Sequence, residues 1–316
     1  MPMPAVLDRH PKPPYPTKQP RPVKSRAAKM TMCLAAKSQE IVNPESGQQL
    51  IILCADRRIE NDTAGSETGF KIEQIHNCWV ALIAGNLSEG RILANRYRTY
   101  LKDESLTVEN YADVLAIPAR MELVRRIDMF TVSQHGMTRS EFLKNGSNLL
   151  GPAVFEATEA KITNVGLECE LLLVGFADLE LADEEAWPRR RAVICSVDKW
   201  GQVAIHDHFK AIGSGAVIAE TMLHYRGHTS AMPFMRGLYH VYEAKKFAEC
   251  APGVGRTITD LAFLDDVGVC RFMSDDGLAF LESLRQICCP APTEDLAEER
   301  LQPNFIETWT DRQNKS

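Results

Sequence analysis

The chain has 316 residues, 45% of them hydrophobic and 25% charged, with a formal net charge of −6, so it can bury a sizeable core as one large domain or two small ones. No apolar run approaches the roughly 18 residues of a membrane span, and the opening residues lack the charged-then-apolar order of a secretory signal. Nine cysteines show no CxxC spacing, and most, such as Cys54, Cys78 and Cys195, lie inside apolar runs, which reads as reduced thiols in a cytoplasmic protein and not as a disulfide framework.

In chain order, residues 1–30 carry seven Lys/Arg, one Asp and eight prolines. This +6 leader has little to bury and is expected to be disordered, with polyproline stretches. It leaves the remainder of the chain at −12, which argues against a nucleic-acid-binding body. "TMCLAAK" and "QQLIILCADRR" predict two strands joined by a turn at 43–47, and the unbroken apolar run from Leu50 to Ala55 predicts a strand covered on both faces. "FKIEQIH" and "CWVALIAG" predict a second strand pair around His76-Asn77. Asn86, with Glu89 three residues on, caps a helix whose Leu93, Tyr97 and Leu101 share one face. Residues 107–145 read as helical, opened by Thr107 and interrupted at Pro118.

Strand signals return at 169–177 and in a hairpin turned at Asp198-Lys199-Trp200-Gly201. Helices are expected over 216–225 and 231–249, the second capped near Ser230. A last hairpin over "TITDLAFLDDVGVCRFM", a helix over 276–288 and an acidic tail over 291–316 close the chain. Blocks of strands and helices in this order predict α+β, with two sheets face to face and a helix pair outside each, a four-layer αββα sandwich formed by one domain over 31–290.

"TMCLAAK", "LCADRR", "GFKIEQI", "LIAGN", "LLLVGF" and "FKAIGSGAVIA", in this order, resemble the proteasome β-type branch of the N-terminal nucleophile (Ntn) hydrolases, including the subunits of bacterial proteasome-like peptidases. The resemblance covers about residues 31–265, with a helical insert near 103–168; each motif is short, and their joint order and spacing carry it. It implies that Thr31 is the N-terminal nucleophile and that Asp56 and Arg58 of "ADRR" are the acidic and basic positions after the second strand. It further implies that Lys71 stands beside the nucleophile, Gly85 supplies the oxyanion N–H and Ser214 lies near the amino group of the threonine. The family's Asp-x-x-Ser-Gly stretch has no clean counterpart; "AECAPGVG" offers Glu249 and Pro252. The resemblance also implies a peptide or unfolded-protein substrate, a homo-oligomer of rings or stacked rings, room for an ATP-dependent unfoldase as partner, and neither cofactor nor metal.

The chemistry is coherent in itself. A threonine hydroxyl needs a base within reach, and a free α-amino group is a suitable one near neutrality. Lys71 beside that amine would oppose its protonation, Asp56 would orient Lys71, and a backbone N–H at Gly85 would stabilise a tetrahedral oxyanion. Each residue has a plainer reading too: Thr31 as a strand opener, Asp56 as a turn residue paired with Arg57 or Arg58, Lys71 as a solvated strand residue, and Gly85 and Gly213-Ser214-Gly215 as turns before helices. His206 and His208 share a strand face and His224 and His228 a helix face, without the carboxylate cluster or HExxH that would complete a metal site. Met30, where many family members have Gly, precedes Thr31. Activity therefore requires cleavage at Met30-Thr31 or a start at Met30; a start at Met32 would expose Cys33 instead, two residues out of register. The alternative is a noncatalytic proteasome-fold scaffold or binding subunit that keeps its leader.

Overall fold

The computed structural model describes residues 31–41, 47–61, 64–66, 68–179, 190–288 and 302–314. The leader expectation over 1–30 and most of the turn expected at 43–47 lie outside the described residues. The fold is α+β, with two antiparallel sheets.

Strands β1 (Met32–Ile41) and β2 (Gly47–Asp56) pair antiparallel with Cys33 opposite Ala55. Their side chains alternate between two cores, because successive residues of a strand point to opposite faces. Cys33, Ala35, Ile51, Leu53 and Ala55 enter the larger cluster, and Met32, Leu34, Ala36, Ile52 and Cys54 enter a second one. This two-sided burial is why the run Leu50 to Ala55 is apolar without alternation.

A short hairpin, β3 (Ile59–Asn61) and β4 (Ala64–Ser66), was not signalled by the sequence. Strands β5 (Ile72–His76) and β6 (Trp79–Gly85) follow as expected, with a register shift between Gln74 and His76. Helix α1 (Leu87–Leu101) starts at its Asn86 cap, whose side chain accepts from the Glu89 N–H at 3.5 Å, and it buries Leu93, Tyr97 and Leu101 in the larger cluster.

Helix α2 (Tyr111–Ile127) departs from expectation twice. It begins after a turn in which Thr107 N–H donates to Asn110 Oδ1 at 2.9 Å and Tyr111 N–H to Thr107 O at 3.0 Å. It also runs through Pro118 without ending. Proline removes one helical hydrogen bond, but Pro118 is buried, as are Leu115, Ala116 and Ala119 of the same helix, and burial of this face offsets the local cost. The helical region then extends past 145, through α3 (Arg139–Leu150), opened by a Thr138–Glu141 capping box, and α4 (Pro152–Asn164), opened by a proline in its first turn. Ile127, Val132 and Phe142 give this insert a small core of its own.

Strands β7 (Cys169–Asp178), β8 (Arg190–Val197) and β9 (Val203–His206) complete a five-stranded sheet in the order β5-β6-β7-β8-β9. β10 (Phe209–Gly213) crosses to the other sheet and pairs with β1. Helices α5 (Ala216–Tyr225) and α6 (Phe234–Ala248) follow, the latter capped at Pro233 and not near Ser230. β11 (Thr259–Leu264), β12 (Cys270–Met273) and α7 (Asp275–Cys288) come next. Within the span set apart as an acidic tail, β13 (Ile306–Glu307) pairs with β12, and α8 (Trp309–Asn314) follows it. The six-stranded sheet thus runs β10-β1-β2-β11-β12-β13. Residues of α5, α6 and α7 share the second cluster with β1 and β2, whereas residues of α1 and α2 share the larger cluster with the five-stranded sheet. Among the described residues, no helix is long and apolar enough to cross a membrane.

Candidate active site

Thr31 stands one residue before β1, Asp56 ends β2, and Lys71 stands one residue before β5; all three residues are buried, at 2% exposure or less. Their convergence follows from the pairing of β1 with β2, which sets the start of one strand beside the end of the other. Asp56 is the hub. Its Oδ1 accepts from Lys71 Nζ at 2.5 Å, from the Arg58 N–H at 2.9 Å and from Thr31 Oγ1 at 3.5 Å, and its Oδ2 accepts from the Met32 N–H at 2.7 Å. Lys71 Nζ also donates to Thr31 Oγ1. The carboxylate of Asp56 and the amine of Lys71 are each other's partner away from water, and removing either would strand the other.

Two of the other sequence-predicted residues, Arg58 and Ser214, contact this group directly. Arg58 contributes its N–H to Asp56. Ser214 meets the carbonyl of Thr31, through its N–H at 2.8 Å and its Oγ at 3.4 Å, and its Oγ also donates to Pro252 O at 3.2 Å. The adjoining Gly213 has φ +89°, and a Cβ there would collide with the Thr31 carbonyl oxygen, so only glycine allows this approach. Gly85 ends β6 at φ +88°, where a Cβ would lie 2.8 Å from Glu168 O. It lies on the same strand as Ile83, whose N–H donates to Lys71 O at 2.9 Å and whose carbonyl accepts the Cys33 thiol at 3.3 Å; among the described residues, no hydrogen bond joins Gly85 itself to Thr31, Asp56 or Lys71.

Glu249 is not brought to Thr31. It caps the end of α6, and its carboxylate pairs with Lys245 and, at 2.9 Å, with Lys246. Cys33 is fully buried, and that burial pushes its thiol above the ordinary range, so it has little thiolate to offer as a nucleophile. The histidines of the two candidate pairs are engaged elsewhere: His206 with Ser196 Oγ at 2.8 Å, His208 with the Ser230 N–H at 3.2 Å, His228 with the Lys37 carbonyl at 3.0 Å, and His224 edge-on to Phe209.

Asp260 is not among the sequence-predicted residues, and Arg57 enters the sequence reading only as a partner for Asp56. Arg57 does not pair with Asp56; it forms a two-point bridge to Asp260, at 2.8 and 2.9 Å, one strand away. The available signal was the Asp in "TITDLAFL", a charge inside an otherwise apolar strand. No protein-family model matches the chain, and no curated protein matches it.

Proposed function

We propose that the chain is a threonine-type Ntn hydrolase, a peptidase in which Thr31, once freed at its amino end, attacks the carbonyl carbon of a peptide bond. The observation that carries this reading is the buried Thr31–Lys71–Asp56 group, with the lysine donating to both the hydroxyl and the carboxylate. Two further features support it: the junction of Thr31 with Ser214 and Gly213, and two hydrophobic clusters consistent with a four-layer αββα sandwich.

In the proposed reaction, the free α-amino group of Thr31 takes the proton from Oγ1 as that oxygen bonds to the carbonyl carbon. The resulting oxyanion is stabilised by the Gly85 N–H. Collapse breaks the C–N bond, the ammonium returns its proton to the departing amine, and water, deprotonated by the same amino group, hydrolyses the Thr31 ester. Lys71 contributes a fixed positive charge beside the hydroxyl and the amine, and Asp56 fixes the lysine. The whole sequence depends on cutting Met30-Thr31.

A β-lactone probe tests the proposal. Thr31 Oγ1 would open the ring and retain the whole reagent as an ester, so the chain gains the full probe mass at Thr31. Thr31→Ala is expected to take no probe. Equal labelling of both chains would reject Thr31 as the nucleophile, and a leader-bearing chain that takes no probe would favour the scaffold reading.

A further inference from the structure

Beside the proposed site lies a second buried ionic cluster that the reaction leaves unused. Asp260 of β11 is fully buried; it stands opposite Ala55, and its neighbour Thr259 stands opposite Asp56. Arg57 holds both of its oxygens, and Arg312 of α8 donates Nε to Oδ1 at 3.0 Å and Nη2 to the Thr259 carbonyl at 3.1 Å. Arg312 also stands 3.5 Å from Asp275 and 3.7 Å from Glu307, with only 4% of its side chain exposed. Asp260 thus takes donors from two guanidinia, and the second of them, Arg312, links it to the further carboxylates of Asp275 and Glu307.

An aromatic contact repeats the pattern. Trp309 meets the ring of Phe70 edge-on at 5.8 Å and that of Phe272 at 5.3 Å, and the Arg57 guanidinium lies over Phe70 at 5.4 Å. Arg57 directly follows Asp56, and Phe70 directly precedes Lys71. The excursion from 57 to 70 carries the β3–β4 hairpin and must return Lys71 to Asp56; Gly69 N–H to Arg57 O, at 2.9 Å, ties its two ends. The stacked Arg57–Phe70 pair sits at those same ends; α8 touches Phe70 through Trp309 and reaches Arg57 through the shared carboxylate of Asp260.

We propose that segment 302–314 is a positioning clamp, in which Trp309 holds Phe70 and Arg312, through Asp260, holds Arg57, and together they set Lys71 against Asp56 and Thr31. Its effect on rate rests on the hydrolase reading; the geometric effect does not.

The test compares the mature full-length chain with Trp309→Ala, Trp309→Phe, Arg312→Ala and Arg312→Lys. The maximal rate of β-lactone inactivation and the half-saturating probe concentration are measured separately, alongside crystal structures of the variants. The alanine variants are expected to lose roughly ten-fold in maximal rate with half-saturation changed by less than about two-fold. Trp309→Phe should recover most of the rate and Arg312→Lys part of it, since lysine keeps the charge but not the fork. In the alanine structures Lys71 Nζ should leave hydrogen-bond distance of Asp56. Alanine variants that melt earlier yet keep the wild-type rate, or that keep the Lys71–Asp56 contact in the crystal, overturn the clamp. A wild-type chain that takes no probe at Thr31 overturns the hydrolase reading instead, and the crystal structures still decide the clamp.

Discussion

Asp56 receives donors from Lys71, Met32, Arg58 and Thr31 while fully buried, so its environment depends on a single cationic side chain. Replacing Lys71 by Met keeps the volume but leaves the carboxylate without its counter-charge. The expected loss is on the order of 100-fold in probe labelling, with about 3 kcal/mol lost in urea unfolding. A variant as stable and reactive as the parent would show that the lysine has no part in the site. Gly85 gives a backbone test. At φ +88°, with Glu168 O 2.8 Å from where a Cβ would stand, Gly85→Ala is expected to cost about 1–3 kcal/mol and to displace the N–H assigned to the oxyanion. The same denaturation series reports the first effect and the labelling rate the second.

Elements that answer to local rules follow their sequence closely, and those set by distant partners do not. Helix α1 was legible from Asn86, Glu89 and its Leu93-Tyr97-Leu101 stripe, and β2 from an apolar run that two cores demand. Pro118 misled because its local penalty is offset by burial that local pattern does not reveal. Segment 302–314 misled because its order comes from Asp260, 52 residues away from Arg312, and from Phe70 still further along the chain. That Thr31, Asp56 and Lys71 come together was legible through the resemblance, which takes each from a short motif; the residues alone read as a strand opener, a turn residue and a solvated strand residue. Glu249 was chosen by its place in the chain, and its own lysine neighbours claim it.

A charge hub joins α1 to α2. Buried Glu122 pairs with Arg96 at 2.6 Å, Arg125 at 2.6 Å and Arg126 at 3.1 Å, and Arg126 also reaches Glu89 in the first turn of α1. Burial alone would raise its pKa, but the hydrogen bond and charge of Arg125, the charge of Arg96 and the bond from Arg126 hold it below the usual carboxylate value. Glu122→Ala is expected to cost about 2 kcal/mol in urea unfolding, less than a wholly buried network because Arg96 and Arg125 are 37% and 34% exposed. An unchanged midpoint would mean that the hub contributes no stability.

At the scale of the whole molecule, His228 and His240 make stability depend on acid. Their rings lie 5.8 Å apart, both are almost wholly buried, and the His228 Nε2–H donates to the Lys37 carbonyl. Burial lowers the pKa of His228 to about 4, assisted by His208 and opposed by the carbonyl bond. Burial lowers His240 to about 3, with the charges of His228, Arg236 and Arg226 adding to it. Both histidines bind protons more readily when unfolded, so their contribution is present above about pH 6.5 and is lost as pH falls towards 4. The loss on reaching the folded pKa is on the order of 3 kcal/mol for His228 and 4 kcal/mol for His240. Urea unfolding between pH 7 and 4.5 should show this slope, reduced in His228→Phe; a flat profile would contradict it.

The central claim is that Thr31 acts as an N-terminal nucleophile, and intact-mass spectrometry of the chain from its native host, before and after β-lactone treatment, tests it most directly. The mature chain is expected to begin at Thr31 and to gain one probe mass there. A chain that still carries residues 1–30 and gains none would contradict that claim.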